Sequence, residues 1–415
     1  MLYNIAVCLS SAIRNVKNVF FRVVIKFHDK VGECYSHLLN SGKIRSATLL
    51  SFFLPNNDIR PHVHRITGQT PRLKSSLSID EFSARDELNV QRNMVLILTP
   101  RKLGSYPNVI FQGLENFLSE RKVKITWICL NELDVNYLDE VSKVISALCK
   151  DSKLTIIIDP LAPCELYERY RSMCASWFET EKSTHSFSLF AFLGDIWREK
   201  DYTSIVPWGG AVDSFFHVDP VACLKYPAEI RLKMVFYPFV SLPEASYKSQ
   251  SQFKKKHQVF FSGQVRDSDR RWWLKECYSL SKNNNINFVV NSWYKFNSGN
   301  VLSRDSYLTS LMQSSACLGL SQRGLNHWIL PARSFEALRV GTALIQQEGP
   351  NCSPGQTFLR PYDDYIPFAS LEELHEIFKT VLHDRDEIER IARNGQGTFK
   401  LYFPDDSFLQ ILFDN

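Results

Sequence analysis

Of the ten cysteines in this 415-residue chain, no two stand in a C-x-x-C pair, and no zinc-ligand spacing occurs. A zinc ribbon and a dithiol redox centre are thereby excluded, and cysteines such as Cys129, set in Trp127-Ile128-Cys129-Leu130, are expected to be reduced, core-filling thiols. A strong charge of either sign is also missing. The formal net charge is only +5, enough for an anionic substrate or an acidic surface but too little to argue for nucleic acid. The amino terminus, MLYNIAVCLSSAIRNVKNVFFRVVIKF, lacks an unbroken apolar run because Arg14, Lys17, Arg22 and Lys26 interrupt it. Neither a spanning helix nor a cleaved signal is therefore expected. A packed amphipathic helix accounts for this segment, and peripheral contact with a membrane surface is the alternative.

What is present is ordinary for a soluble enzyme: 44% hydrophobic and 22% charged residues, with eight Trp and 29 Phe. A chain this long is expected to divide into two cores. From Asn93 onward short apolar runs alternate with helical patterns. Strands are predicted at Met94–Leu98, Ile125–Leu130, Leu154–Ile158, Phe187–Leu193 and Met234–Pro238, with helices at Val109–Arg121, Tyr137–Cys149 and Glu165–Phe178. Strands that are apolar throughout and separated by helices indicate a parallel, doubly wound sheet. Ser241 to Lys256 is polar and ends in lysines, which suits a linker. A second alternation then opens at Val259–Gln264 and continues through a helix around Arg271–Leu280, a strand at Ile286–Val290 and a helix at Tyr307–Met312. Two helices, Leu371–Leu382 and Arg385–Ala392, close it. The fold class is thus α/β, with two Rossmann-like domains facing across a cleft. The expected divisions are 1–240, a linker at 241–256, a second domain at 257–403, and a C-terminal helix within 404–415 that returns to the first domain.

The densest signal is Ser314 to Gln347. An apolar run, Ala316–Leu320, enters the polar loop Ser321-Gln322-Arg323-Gly324-Leu325-Asn326. A helix carrying Arg333 and Glu336 follows, stops at Gly341, and gives way to the run Thr342–Ile345. In open parallel sheets ligands sit beyond the carboxyl ends of the strands. Cations and free N–H groups at a helix start suit a phosphate, and a carboxylate one turn on can accept two hydrogen bonds from a sugar diol.

The pattern Arg333-x-x-Glu336-Ala337-Leu338-x-x-Gly341 between strands resembles the donor-binding segment of GT-B glycosyltransferases, nearest to the exostosin-like and glycosyl transferases group 1 families. The resemblance covers the C-terminal third well and the rest by general pattern. It implies that Glu336 contacts the ribose of a nucleotide and that Arg323 and Asn326 face the diphosphate and sugar. Many retaining members carry a Glu-x7-Glu pair, and the first position of that pair is Trp328 here, which leans toward the exostosin-like members. The turn Phe261-Ser262-Gly263-Gln264-Val265-Arg266 is similar to the first loop of the same donor domain. Gly263 allows close backbone approach and an arginine there can grip a diphosphate; Arg271 is the choice over Arg266 and Arg270, because Trp272 and Trp273 beside it mark where the helix turns inward.

The implied partners are a nucleoside-diphosphate sugar and a saccharide acceptor, with no nucleic acid. The implied reaction is sugar transfer in polysaccharide, lipopolysaccharide or glycoprotein glycan synthesis, in a cytoplasmic enzyme, peripheral at a membrane if the N-terminal segment binds one. No cofactor or metal is expected, since Arg271, Arg323 and Arg333 can neutralise the leaving diphosphate. Asp267-Ser268-Asp269 has metal-ligand spacing but reads as a solvated loop. An acceptor hydroxyl needs a base if the reaction inverts. Asp195 is the choice because Trp197 offers a sugar-stacking face, with Asp159 and Asp213 as alternatives; each reads equally as a helix N-cap. A nucleotide-sugar epimerase of the same shape and a non-catalytic glycan- or nucleotide-binding module remain the competing readings.

Overall fold

The computed structural model describes residues 27, 29–41, 93–99, 106–129, 137–150, 152–161, 171–193, 199–218, 226–238, 253–294, 302–322, 328–349 and 353–413. The N-terminal stretch read above as an amphipathic helix, with membrane contact as the alternative, and most of the linker lie outside these residues, as do Asp195, Arg323 and Asn326.

Among the described residues, two parallel sheets organise the chain. The first has six strands: β1 (Asn93–Thr99), β2 (Lys124–Cys129), β3 (Lys153–Ile158), β4 (Phe187–Leu193), β5 (Ser214–His217) and β6 (Met234–Phe236), in the order β2-β1-β3-β4-β5-β6. The second has five: β7 (His257–Gln264), β8 (Phe288–Trp293), β9 (Ser314–Gly319), β10 (Ala343–Gln347) and β11 (Ile366–Phe368), in the order β11-β10-β9-β7-β8. Every ladder is parallel. Strands such as β3, with five of its six residues buried, need cover on both faces, which is why they read as continuous apolar runs.

Two of these strands escape sequence reading. β5 is four residues long and follows a turn directly, so no period can show in it. β11 contains Pro367, which argues against a strand, yet β11 sits at the sheet edge and pairs only with β10, where a missing N–H costs least.

Helices fill the crossovers. After α1 (residues 29–40) come α2 (Tyr106–Glu120), α3 (Tyr137–Cys149), α4 (Arg171–Thr184), α5 (Glu199–Ile205) and α6 (Ala228–Arg231) around the first sheet. Around the second are α7 (Ser268–Asn283), α8 (Arg304–Met312), α9 (Ala332–Val340), α10 (Leu371–Lys379) and α11 (Arg385–Tyr402), and α12 (Ser407–Phe413) ends the described chain. Gly341 caps α9 in the left-handed region at φ 72°, a conformation glycine adopts without strain.

Both ends of the described chain pack on the sheet that is distant in sequence. α12 lies on the first sheet: Phe408 meets the rings of Phe117, Phe192, Phe216 and Tyr237, and Thr155 Oγ1 donates to the Leu412 carbonyl at 3.5 Å. α1 lies on the second. Tyr35 and Leu39 join its core, the Tyr278 hydroxyl donates to the Leu39 carbonyl at 2.6 Å, and Asn40 exchanges hydrogen bonds with Ser292 on the edge strand β8. The sequence division that assigned residues 1–240 to one domain therefore differs from the packing of α1. A third cluster joins the halves directly, with the Phe236 ring 5.9 Å from that of Phe335 on α9.

Candidate functional site

In the second sheet the chain leaves β7 toward β8 on one side and returns as β9 on the other. The carboxyl ends of β7 and β9 therefore border a topological switch point, the place where open α/β sheets bind ligands. Gly263 stands at the end of β7, and Ser321 and Gln322 follow β9.

Arg333, in the first turn of α9, is directed at this point. A Cβ placed on Gly263 would lie 2.4 Å from Arg333 Nη2, so the glycine is what lets the guanidinium approach the strand end. The same guanidinium stands 4.6 Å over the Phe261 ring, a cation–π contact that fixes its height above the sheet. Pro331 begins α9 without a side-chain cap, so the first N–H groups of the helix have no capping side chain. Ser334 Oγ donates to Gln346 Oε1 at 2.8 Å, and Ser321 N donates to Gln347 Oε1 at 3.1 Å, tying the helix start and the β9 loop to β10.

Glu336 sits one turn further along α9, on the same face as Arg333, and is only 5% exposed. Its Oε1 accepts from Arg304 and its Oε2 accepts from the Tyr307 hydroxyl at 2.6 Å. Neither partner was singled out in the sequence. Only the i, i+3 spacing of Arg304 and Tyr307 on α8 hinted that they share a face. Burial and the neighbouring carboxylate push the Tyr307 hydroxyl well above its ordinary pKa, so it stays a neutral donor. Burial likewise raises the Cys317 thiol to about 12, which leaves it inert as a nucleophile.

Arg271 is placed differently from the sequence expectation. Its Nη1 donates to the carbonyls of Val265 (3.1 Å) and Arg266 (2.5 Å), and Tyr35 of α1 and Tyr294 lie close enough to act on it. Those contacts brace the loop after β7. Arg270, also buried, donates through Nη1 to the Gln264 carbonyl at 2.7 Å. Asp269 is 4% exposed rather than solvated, and Asp267 Oδ2 stands 4.0 Å from Arg270 Nη2.

The candidate bases separate by end of strand. Asp159 follows the carboxyl end of β3 and accepts from Leu161 N at 3.1 Å through Oδ1. It stands next to the switch point of the first sheet, between β1 and β3. Asp213 precedes β5, at the amino end, away from where ligands bind. Its Oδ1 pairs with Lys182 at 2.5 Å and its Oδ2 accepts from Leu189 N at 2.8 Å, so it links α4, β4 and β5. His217 closes the carboxyl end of β5, fully buried and edge-on to the Tyr226 ring, and was missed because β5 itself was missed.

Residues 266–404 match the glycosyl transferase-like family. That segment, which holds most of the second sheet, is glycosyl transferase-like. No curated protein sequence matches it. Among solved structures, this chain is similar to an alpha-glucosyltransferase in complex with UDP-glucose and DNA containing an abasic site, at 11% identity, 78% of this chain, 98% of the other and a TM-score of 0.47. It is similar to S. aureus TarM in complex with Fondaparinux, alpha-GlcNAc-glycerol and UDP, at 8% identity, 67% of this chain, 59% of the other and a TM-score of 0.43. It is also similar to apo OtsA, at 9% identity, 78% of this chain, 99% of the other and a TM-score of 0.40. The matched family segment contains α8 and α9 whole, and with them Arg304, Tyr307, Arg333 and Glu336. Among the described residues no helix is long and apolar enough to cross a membrane.

Proposed function

We propose that this chain transfers a sugar from a nucleoside-diphosphate sugar to a saccharide acceptor, without a metal ion, in the assembly of a polysaccharide, lipopolysaccharide or glycoprotein glycan. The observation that carries the reading is Arg333 beside Gly263 at the switch point of the second sheet, with Glu336 one turn behind it. The donor diphosphate lies against Arg333 and the start of α9, where the guanidinium and the helix dipole act on the same charge. Glu336 accepts from the ribose. When the glycosidic bond of the donor breaks, negative charge grows on the departing diphosphate, and these fixed positive groups offset it in the transition state. By sequence Arg323 and Asn326 fall between β9 and α9, and the resemblance assigns them to the same diphosphate and sugar. The base in an inverting reaction comes from the carboxyl ends of the first sheet. Asp159 is the candidate there, Asp195 follows β4 in sequence, and the ion pair of Asp213 at the amino end of β5 counts against it.

The purified protein, incubated with a panel of nucleotide sugars and oligosaccharides, is expected to release nucleoside diphosphate and extend an acceptor. An isomerised donor would make it an epimerase, and a thermal shift without turnover would make it a binding module. Activity is expected to persist in excess chelator. Complete loss, reversed by magnesium or manganese, would overturn the metal-independent step and bring Asp267 back as a ligand.

A further inference from the structure

A glutamate on a helix has a broad terminal torsion, so a carboxylate that must meet two hydroxyls at once needs something to hold its plane. Here α8 supplies it. Ser303 caps α8, accepting from Ser306 N, which places Arg304 and Tyr307 one turn apart on a single face. That face meets α9 at Glu336, with one donor on each carboxylate oxygen. We propose that Arg304 and Tyr307 are positioning residues that aim the Glu336 carboxylate at the donor ribose, and so set a preference for ribonucleotides over deoxyribonucleotides. This rests on the reading of Glu336 given above.

The count of acceptor sites supports it. An ionised carboxylate has about four lone-pair sites, two on each oxygen. Arg304 and Tyr307 take one from each, which leaves one on each oxygen, the arrangement that a pair of adjacent hydroxyls requires. The Tyr307 ring is seated 6.1 Å from Phe260 of β7, which anchors it to the same strand that carries Gly263 near its end. A mere bridge between α8 and α9 would need the ion pair, but would give nucleotide binding no dependence on the ribose hydroxyls.

The experiment is calorimetric titration of the intact protein with uridine, adenosine and guanosine diphosphates, each compared with its 2′,3′-dideoxy form. For the base that binds, the wild-type protein is expected to favour the ribose form by roughly ten- to hundredfold, the range of charged hydrogen bonds. Tyr307→Phe keeps the ring and its packing but removes the O–H. It is expected to cut that ratio to below about threefold, while affinity for the dideoxy form stays within about twofold of wild type. Arg304→Lys should keep part of the ratio and Arg304→Ala should remove it, which separates orientation from fold loss. A ratio unchanged in Tyr307→Phe and Arg304→Ala would overturn the inference and leave the pair a structural bridge. A wild-type protein that binds nucleoside diphosphate with no ribose preference would instead overturn the assignment of Glu336. Absence of any binding would overturn the proposed donor, and the inference with it.

Discussion

At the scale of single residues, the site depends on one side chain being absent and another being buried. Gly263 leaves the space that Arg333 enters, and the atom a Cβ would displace is the far end of a flexible arginine. Gly263→Ala is therefore expected to leave the melting temperature nearly unchanged while weakening nucleoside-diphosphate binding by about 1.5–3 kcal/mol, the worth of a charged hydrogen bond. Calorimetry alongside thermal melting checks this; equal affinity in the variant would take Arg333 out of the donor site. Glu348, just past β10, shows the opposite case. It is 1% exposed, and its carboxyl lies against the Tyr365 hydroxyl and the Gly355 backbone without full hydrogen-bond geometry to either. Burial pushes its pKa up to about 8. The folded state thus binds this proton more tightly than the unfolded chain. Its contribution to stability is complete below the ordinary carboxylate pKa and is lost as pH rises toward about 8. Glu348→Gln, which cannot ionise, should flatten the fall in urea midpoint between about pH 5 and about pH 9. A fall as steep as that of the wild type would show that Glu348 ionises without cost.

At the scale of elements, α1 finishes the open edge of the second sheet. Asn40 Oδ1 accepts from Ser292 N at 2.7 Å and from Ser292 Oγ at 2.8 Å, and Asn40 Nδ2 donates to the Ser292 carbonyl at 3.0 Å. A side chain thus satisfies backbone groups of β8 that a further strand would otherwise pair, and the edge is blunted against another chain. Asn40→Ala is expected to lower stability by about 1–3 kcal/mol by leaving these groups unpaired. The measurement is chemical denaturation, read with light scattering for self-association. An unchanged midpoint would mean that water replaces Asn40 without loss. The sequence showed no sign of this contact: Asn40 and Ser292 are 252 residues apart, and a polar residue near a helix end looks the same whether it meets solvent or a strand edge.

At the scale of the whole molecule, the halves are held together by more than the linker. α12 crosses to the first sheet, and Arg121 pairs with Asp406 at 3.0 Å beside it. Phe408 is fully buried at this crossing. Phe408→Ala is expected to cost about 3–5 kcal/mol, the range for deleting a buried aromatic ring. Loss of less than about 1 kcal/mol in a denaturant titration would show that α12 is not held through this ring. The same crossing means that a fragment beginning at His257 would expose the apolar face of α12, so nucleotide binding is best measured on the intact chain.

Local pattern alone determined much of this protein. Apolar runs of five to seven residues between helical periods were enough to place most strands, because a strand buried on both faces has no polar alternation to blur it. Gly341 marked the end of α9 because few other residues cap a helix in the left-handed region. The positions of Arg333, Glu336 and Gly263, at a strand end and in the first turns of a helix, were legible for the same reason. Tertiary structure decided what sequence spacing cannot carry. It set Arg304 and Tyr307 on the Glu336 carboxylate from another helix, turned Arg271 back onto its own loop, and put Asp213 at the amino end of β5 beside Lys182. It also packed α1 and α12, the first and last described helices, each on the distant sheet. Backbone periodicity reports which face of an element is apolar. Which charged group meets which depends on how separate elements pack, and that is set by the whole fold.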